Sequence, residues 1–167
     1  MSRNTVRYAV AQFFNSPPVP GLAQVRTALE KQDQLVAQGT ATPAQSFAVI
    51  YMPSGQDERA SGPAANAGVI TAFAGIKLVP HEVHLQVCHF FDGTGADAMD
   101  DLDALLEAVL TRLRSDARIG QTPQTIFEVR QGTGQIRWRV GETEFLEGNE
   151  ALTWFAVMFT VVEQIQA

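Results

Sequence analysis

Residues 81–89 read HEVHLQVCH, and whether they form a strand or a helix decides both the fold and the chemistry of the chain. Large apolar residues alternate here with polar ones, a period of two that is typical of a β-strand with one buried face. Pro80 at the head of the run is compatible with the start of a strand. We therefore predict a strand with two unlike faces, one carrying His81, Val83, Leu85, Val87 and His89, the other Glu82, His84, Gln86 and Cys88.

The same choice bears on whether the histidines and the single cysteine can bind a metal. On a helix, His81, His84 and Cys88 would follow one another at i, i+3 and i+7 and could share an ion. On a strand, His81 and His89 stand about 26 Å apart, and His84 and Cys88 about 13 Å apart, at ~3.3 Å per residue. The HExxH zinc motif is also absent. We expect no metal and no cofactor, and a small, buried, space-filling role for Cys88.

Helical and strand patterns alternate along the rest of the chain. Apolar residues at helical spacing predict a helix from Val6 to Phe14, which the pair Pro17-Pro18 follows. Residues 22–27 fit either a helix or a short strand, whereas FAVIYM at 47–52 is typical of a strand. The pattern at 92–116 predicts the clearest helix, with acidic residues in its first turns and arginines in its last. Its apolar stripe should face the sheet and consists of Met99, Leu102, Leu105, Leu106, Val109, Leu110 and Leu113.

The last third of the chain favours β-structure. TIFEVR at 125–130 and QIRWRV at 135–140 flank Gly132-Thr133-Gly134, which predicts a β-hairpin. Arg130, Arg137 and Arg139 would lie on an exposed β face that meets a partner or solvent, although they could also bind a carboxylate or a phosphate. The closing run at 151–167 satisfies a helical period too, but its β-branched and aromatic residues favour a strand.

Composition narrows the class of protein. The 167 residues suit a single domain over 1–167, and 46% of them are hydrophobic. The net charge of -6 argues against non-specific binding of nucleic acid by the surface as a whole. No apolar run approaches the ~20 residues that span a bilayer, and the first residues do not resemble a signal peptide. Neither GxxxxGK[ST] nor GxSxG occurs, so no motif predicts an enzyme.

The order and texture of these segments resemble the tail terminator family of long-tailed, siphovirus-type bacteriophages. The resemblance extends over most of the chain, without a single sharp motif. Its segments are the N-terminal helix from Val6 to Phe14, PGLAQV at 20–25, FAVIYMP at 47–53, ERASGPAANAG at 58–68, HEVHLQVCHFF at 81–91, DLDALLEAVLTRLRSD at 101–116 and TWFAVMFTVVEQ at 153–164.

The resemblance implies an α+β fold, with a mixed or antiparallel sheet packed against two or three helices and a long loop between strands. It implies a structural virion protein rather than an enzyme, located at the head–tail junction and assembled in the host cytoplasm. Such proteins form a homohexameric ring that ends polymerisation of the tail tube and joins tail to head. The implied partners are further copies of the chain, the tail tube protein and the head–tail connector protein. DNA would pass through without being recognised, and no membrane is involved.

The segment from Pro53 to Gly75 is too long, and too poor in large apolar residues, to pack well on its own domain. We expect it to reach across a subunit boundary, because a closed ring joins two different patches of neighbouring subunits. Arg59 would form a charged contact there. The candidate interface residues are Asp57, Glu58 and Arg59 near the tip, Val69, Ile70 and Phe73 on the returning arm, and Arg137 and Arg139.

Two alternatives remain open. A neighbouring connector or tail completion protein of the same junction would have a similar sequence texture. A small ligand-binding or enzymatic α+β domain belongs to another class, and its best candidate site is the histidine-bearing strand at 81–89. A ring-shaped assembly would favour the terminator, and a small molecule bound by an isolated monomer would favour the binding domain.

Overall fold

The computed structural model describes residues 3–27, 46–53, 76–92, 95–123, 125–145 and 150–166. These residues form a mixed α+β fold with one curled sheet and two helices. In chain order the elements are α1 (Arg3–Asn15), β1 (Leu22–Arg26), β2 (Ser46–Tyr51), β3 (Ile76–Asp92), α2 (Gly95–Ser115), β4 (Arg118–Thr122), β5 (Thr125–Val129), β6 (Arg137–Val140), β7 (Glu144–Phe145) and β8 (Glu150–Gln166).

Two long antiparallel strands dominate the sheet. β3 and β8 have 17 residues each and pair along their whole length, which corresponds to roughly 55 Å at ~3.3 Å per residue. The strand predictions for HEVHLQVCH and for the closing run are therefore confirmed. Val83, Leu85 and Val87 are buried, whereas Glu82 and Gln86 are exposed. The predicted division of this strand into two faces is also confirmed.

The order of strands in the sheet is β1-β2-β3-β8-β5-β4, and β6 and β7 also pair with β8. β1 runs parallel to β2, and every other pairing is antiparallel. The strand alternative for residues 22–27 is the one that the structure adopts, as β1. Local sequence patterns do not predict β4 or β7, because both strands are short and lack a strongly apolar face.

The predicted hairpin between residues 125–130 and 135–140 is wrong. β5 and β6 both pair with β8, in the same direction and on the same edge. The turn at Gly132-Thr133-Gly134, where both glycines have positive φ, lets the chain bulge outward and return to that edge. The physical reason is the length of β8, since a hairpin would leave much of this edge without backbone partners.

Both helices contribute to one core on the inner face of the sheet. Val6, Val10, Phe13 and Phe14 of α1 are buried, as the helical spacing predicted. α1 contacts β1 and β2 near one edge of the sheet and β4 at the other, so the sheet curls around this helix. Gly120 on β4 permits the close approach, because a Cβ there would lie 3.3 Å from the Cβ of Ala9.

The amphipathic helix α2 completes this core. The leucines and the valine of its predicted stripe are buried and belong to the same hydrophobic cluster as Val83, Leu85 and Val87. Met99 is the exception in the stripe, being 43% exposed. Arg112 ties the two helices together by donating to the carbonyl oxygen of Phe13 at 3.1 Å and stacking its guanidinium 4.3 Å from that ring's centre. Neither described helix has the length and apolar character needed to cross a membrane.

Candidate functional site

The most distinctive surface of the described residues is the outer face of the sheet, opposite α1 and α2. None of its side chains belongs to the hydrophobic core that the helices share with the inner face. We use "outer face" below for a set of aligned side chains from four strands: Phe47, Val49 and Tyr51 of β2, Glu82, His84, Gln86 and Cys88 of β3, Trp154, Ala156 and Met158 of β8, and Arg137 and Arg139 of β6.

Cross-strand register brings these residues together although they are far apart in sequence. Paired residues of neighbouring strands project to the same side of a sheet. One row across the outer face therefore contains Tyr51, His84, Met158 and Arg137. The next row contains Val49, Gln86, Ala156 and Arg139.

The structure places the predicted interface residues Arg137 and Arg139 side by side in adjacent rows. Both side chains are exposed. An Arg137 guanidinium nitrogen lies 3.8 Å from Glu82 Oε1, and His84 Nε2 lies 3.1 Å from the same oxygen. Because Arg137 and Glu82 are 65% and 53% exposed, this pair contributes little to folding and leaves the guanidinium accessible to a partner.

The indole of Trp154 lies beside Arg139 on the outer face. The backbone N–H of Gly141 donates to the carbonyl oxygen of Trp154 at 2.8 Å. A Cβ on Gly141 would lie only 1.9 Å from Cε2 of the indole, so the indole occupies the space that a side chain at position 141 would need. The Arg139 guanidinium lies 5.3 Å from the centre of the indole, within range of a cation–π interaction.

Aromatic groups continue across the outer face at its opposite side. Phe47 stacks on Phe90 with ring centres 5.9 Å apart. Tyr51 packs edge-on against His84 at 6.1 Å and remains 48% exposed. Half-exposed aromatic rings next to arginines are typical of surfaces that bind other proteins.

The remaining candidate interface residues were assigned to the segment from Pro53 to Gly75. Asp57, Glu58, Arg59, Val69, Ile70 and Phe73 lie outside the described residues. No local pattern in the sequence predicts that Tyr51, Trp154 and Gly141 lie on the same surface as Glu82 and the two arginines. The alternation along β3 places Glu82 on the same side as His84, but it does not report which strands lie next to each other.

The inner face carries the other two histidines, each with a buried partner. His81 Nε2 donates to Glu163 Oε2 at 3.0 Å, and Glu163 is only 2% exposed. His89 Nδ1 lies 2.8 Å from the hydroxyl of Ser46. Burial lowers the pKa of His89 from its usual 6.5, while the negative charge of Asp101 acts in the opposite direction.

These buried pairs are relevant to the alternative that the chain is a small ligand-binding or enzymatic domain. Ser46 and His89 are 3% and 6% exposed, so both members of this serine–histidine pair are buried. Among the described residues, no group of three His, Cys, Asp or Glu side chains is placed to hold a metal ion. Cys88, predicted to be buried, is instead partly exposed on the outer face.

Comparison with known proteins does not identify the chain: no protein-family model and no curated protein matches its sequence.

Proposed function

We propose that this chain is a phage tail terminator, a structural protein that assembles as a hexameric ring, ends growth of the tail tube and joins the tail to the head. The observation that supports the proposal best is the chain order of the elements: an N-terminal helix, a long antiparallel strand pair, and an amphipathic helix between those two strands. The proposal also includes the expectation that the sheet packs against two or three helices.

The outer face supplies the kind of surface that such a ring requires. Subunits of a ring contact each other through two different patches, one on each side of every subunit. The inner face of the sheet is used for folding, since it is buried beneath α1 and α2. The outer face offers arginines and half-exposed aromatic rings on rigid strands, so we assign it to the contact between subunits.

The charge of the chain is compatible with the passage of DNA through such a ring. The net charge is -6, and acidic surfaces do not bind the phosphate backbone. Arg137 and Arg139 would be covered in the subunit contact, so they would not be presented to DNA in the lumen.

The proposal is tested by adding the purified protein to growing tail tubes and recording tube lengths and ends by electron microscopy. We expect a six-fold ring on one end of each tube and no further growth from that end. An Arg137→Ala/Arg139→Ala chain should fail to form the ring, whereas Arg118→Ala, an exposed arginine on edge strand β4, should behave like the intact chain.

Three other results would contradict the proposal. Tubes that continue to grow past the bound protein would exclude a terminator. A ring that binds only the head-side connector would instead favour a neighbouring connector or completion protein. A chain that stays monomeric at high concentration and in the presence of tubes would exclude both of these ring-forming proteins.

A further inference from the structure

Charge is distributed unevenly between the two sides of the described structure. The exposed side of α2 carries Asp100, Asp103 and Glu107, and Arg114 in its last turn. The outer face carries Arg137 and Arg139, with Glu82 as its acidic residue. Because α2 covers the inner face, its acidic side points away from the sheet, and the two charged surfaces lie on opposite sides of the subunit.

The acidic side of α2 follows from helical spacing. Asp100, Asp103 and Glu107 stand at i, i+3 and i+7, and so share one side of the helix. Its apolar residues, among them Leu102, Leu106 and Val109, are buried on the other side. Ala104 is exposed between the acidic residues, and its small side chain leaves room for close approach by another surface.

The spacing of the acidic residues matches that of the arginines. Asp103 and Glu107 are four residues apart on a helix, which is about 6 Å at 1.5 Å per residue. Arg137 and Arg139 are two residues apart on a strand, which is about 6.6 Å at ~3.3 Å per residue. A helix laid along β6 could therefore bring both carboxylates to both guanidinium groups at once.

We propose that the outer face of one copy binds the acidic side of α2 of the next copy. Arg137 and Arg139 pair with Asp103 and Glu107, and the indole of Trp154 forms the apolar floor beside them. The contact joins two different surfaces, so it propagates from copy to copy rather than closing in a two-fold dimer. Closure into a ring of six rests on the proposed function, but the contact itself does not.

A second copy is the occupant that the charges favour. The acidic partner must carry two carboxylates at helical spacing on an exposed side, and this chain supplies such a helix. Every copy then has one basic surface, which binds the next copy, and one acidic surface, which the previous copy binds, as a head-to-tail assembly requires. Complementary charge of this kind also excludes the wrong pairings, sheet face on sheet face and helix on helix.

Charge reversal tests the contact. The sheet variant is Arg137→Glu/Arg139→Glu, and the helix variant is Asp103→Lys/Glu107→Lys. Either variant alone places like charges in contact, so self-association measured by sedimentation should weaken at least ~100-fold. In a 1:1 mixture, an assembly in which the two variants alternate has opposite charges at every contact. Assemblies with an even number of chains should therefore form. One chain with all four substitutions should assemble alone.

Two controls separate the contact from general effects of charge. Arg118→Glu on β4 and Glu142→Lys, both exposed, change the net charge without touching either surface, so assembly should persist. Melting curves recorded by circular dichroism should show that all variants remain folded, because the substituted side chains are exposed. For the intact chain, raising salt to about 1 M, where the Debye length is ~3 Å, should shift assemblies toward monomers.

The possible outcomes distinguish this contact from the proposed function. Reversed variants that assemble like the intact chain, or a mixture that stays monomeric, would overturn the contact and leave a terminator possible. The sheet variant could lose binding to tail tubes and fail to regain it when the helix variant is added. That result would assign the outer face to the tube protein and overturn the contact. Assemblies that are lost in each reversed variant and restored in the mixture, but that do not contain six chains, would support the contact and contradict the terminator. An intact chain that is monomeric with and without tubes would overturn both.

Discussion

The two faces of the sheet differ in how far their side chains are buried. Along β8, Phe155, Val157 and Phe159 are almost completely buried on the inner face. On the outer face, their neighbours Trp154 and Met158 remain partly exposed, whereas Ala156 between these two is only 7% exposed. A period of two thus allows a single strand to contribute to the folding core on one side and to a partly exposed surface on the other.

The histidines of β3 show the same division for polar groups. His81 on the inner face contacts a glutamate that is 2% exposed, whereas His84 on the outer face contacts one that is 53% exposed. The chemical pair is the same, but water screens only the outer one. Substitutions should therefore affect stability on the inner face and association on the outer face.

The largest difference between the faces is expected from two neighbouring residues of β8. Phe159→Ala removes a side chain that is 2% exposed, which should cost about 3–5 kcal/mol in the free energy of unfolding and lower the melting temperature by roughly 10 °C. Met158→Ala, measured at concentrations where the chain is monomeric, should cost less than about 1 kcal/mol. Equal losses in thermal melts would mean that the two faces are not distinct.

The next largest difference concerns the two histidine–glutamate pairs. His81→Leu leaves the buried Glu163 carboxylate without its described hydrogen-bond donor, which should cost about 3 kcal/mol in urea unfolding. His84→Leu on the outer face should change stability by less than about 0.5 kcal/mol. A His81→Leu/Glu163→Met chain should recover part of the loss, because it removes the uncompensated buried charge. Without such recovery, the buried pair does not account for the cost.

A smaller effect is expected where Trp154 lies over Gly141. Gly141→Ala must displace the indole, because the new Cβ would lie 1.9 Å from it. The change should cost about 1 kcal/mol, mainly through the lost contact with the Arg139 guanidinium, and it should shift the tryptophan emission in a Trp138→Phe background. In a Trp154→Ala chain the same substitution should be nearly neutral. An unchanged emission spectrum would contradict the observed packing of the ring.

The smallest effect on the fold is a pH dependence from His89. Its pKa is lowered in the folded state, mainly by burial, so the unfolded chain binds the proton more readily. The contribution of neutral His89 to stability is complete above 6.5, the usual pKa, and is lost as the pH falls below that value toward the folded-state pKa. Between about pH 8 and about pH 5.5, the urea midpoint should fall less for His89→Gln than for the intact chain or for His84→Gln. Equal falls in all three would exclude His89 as the source.

Local patterns in the sequence predicted most of the elements, because burial there depends on nearby residues. The alternation at 81–89 predicted the two faces of β3, and the spacing of leucines in 102–113 predicted the buried side of α2. Pairing between distant segments was not predictable in this way. Residues 125–130 and 135–140 have the local pattern of a hairpin, but the long edge of β8 is their partner.

The candidate site shows the same limit. Alternation alone places Arg137 and Arg139 on one side of a strand. Their position next to Glu82 and Trp154 depends on the register of β3, β8 and β6, which are separated by long stretches of chain. Surfaces built across strands therefore require the structure, even when each strand is predicted correctly.

We infer that the inner face folds the chain and that the outer face assembles it. Native mass spectrometry of the intact chain beside the Arg137→Glu/Arg139→Glu chain tests this inference, since both arginines are exposed and contribute little to stability. We expect the intact chain at the mass of six copies and the variant at the mass of one, with charge-state distributions typical of folded protein in both. A variant that keeps the mass of six copies, or one that is unfolded, would contradict the division between the two faces.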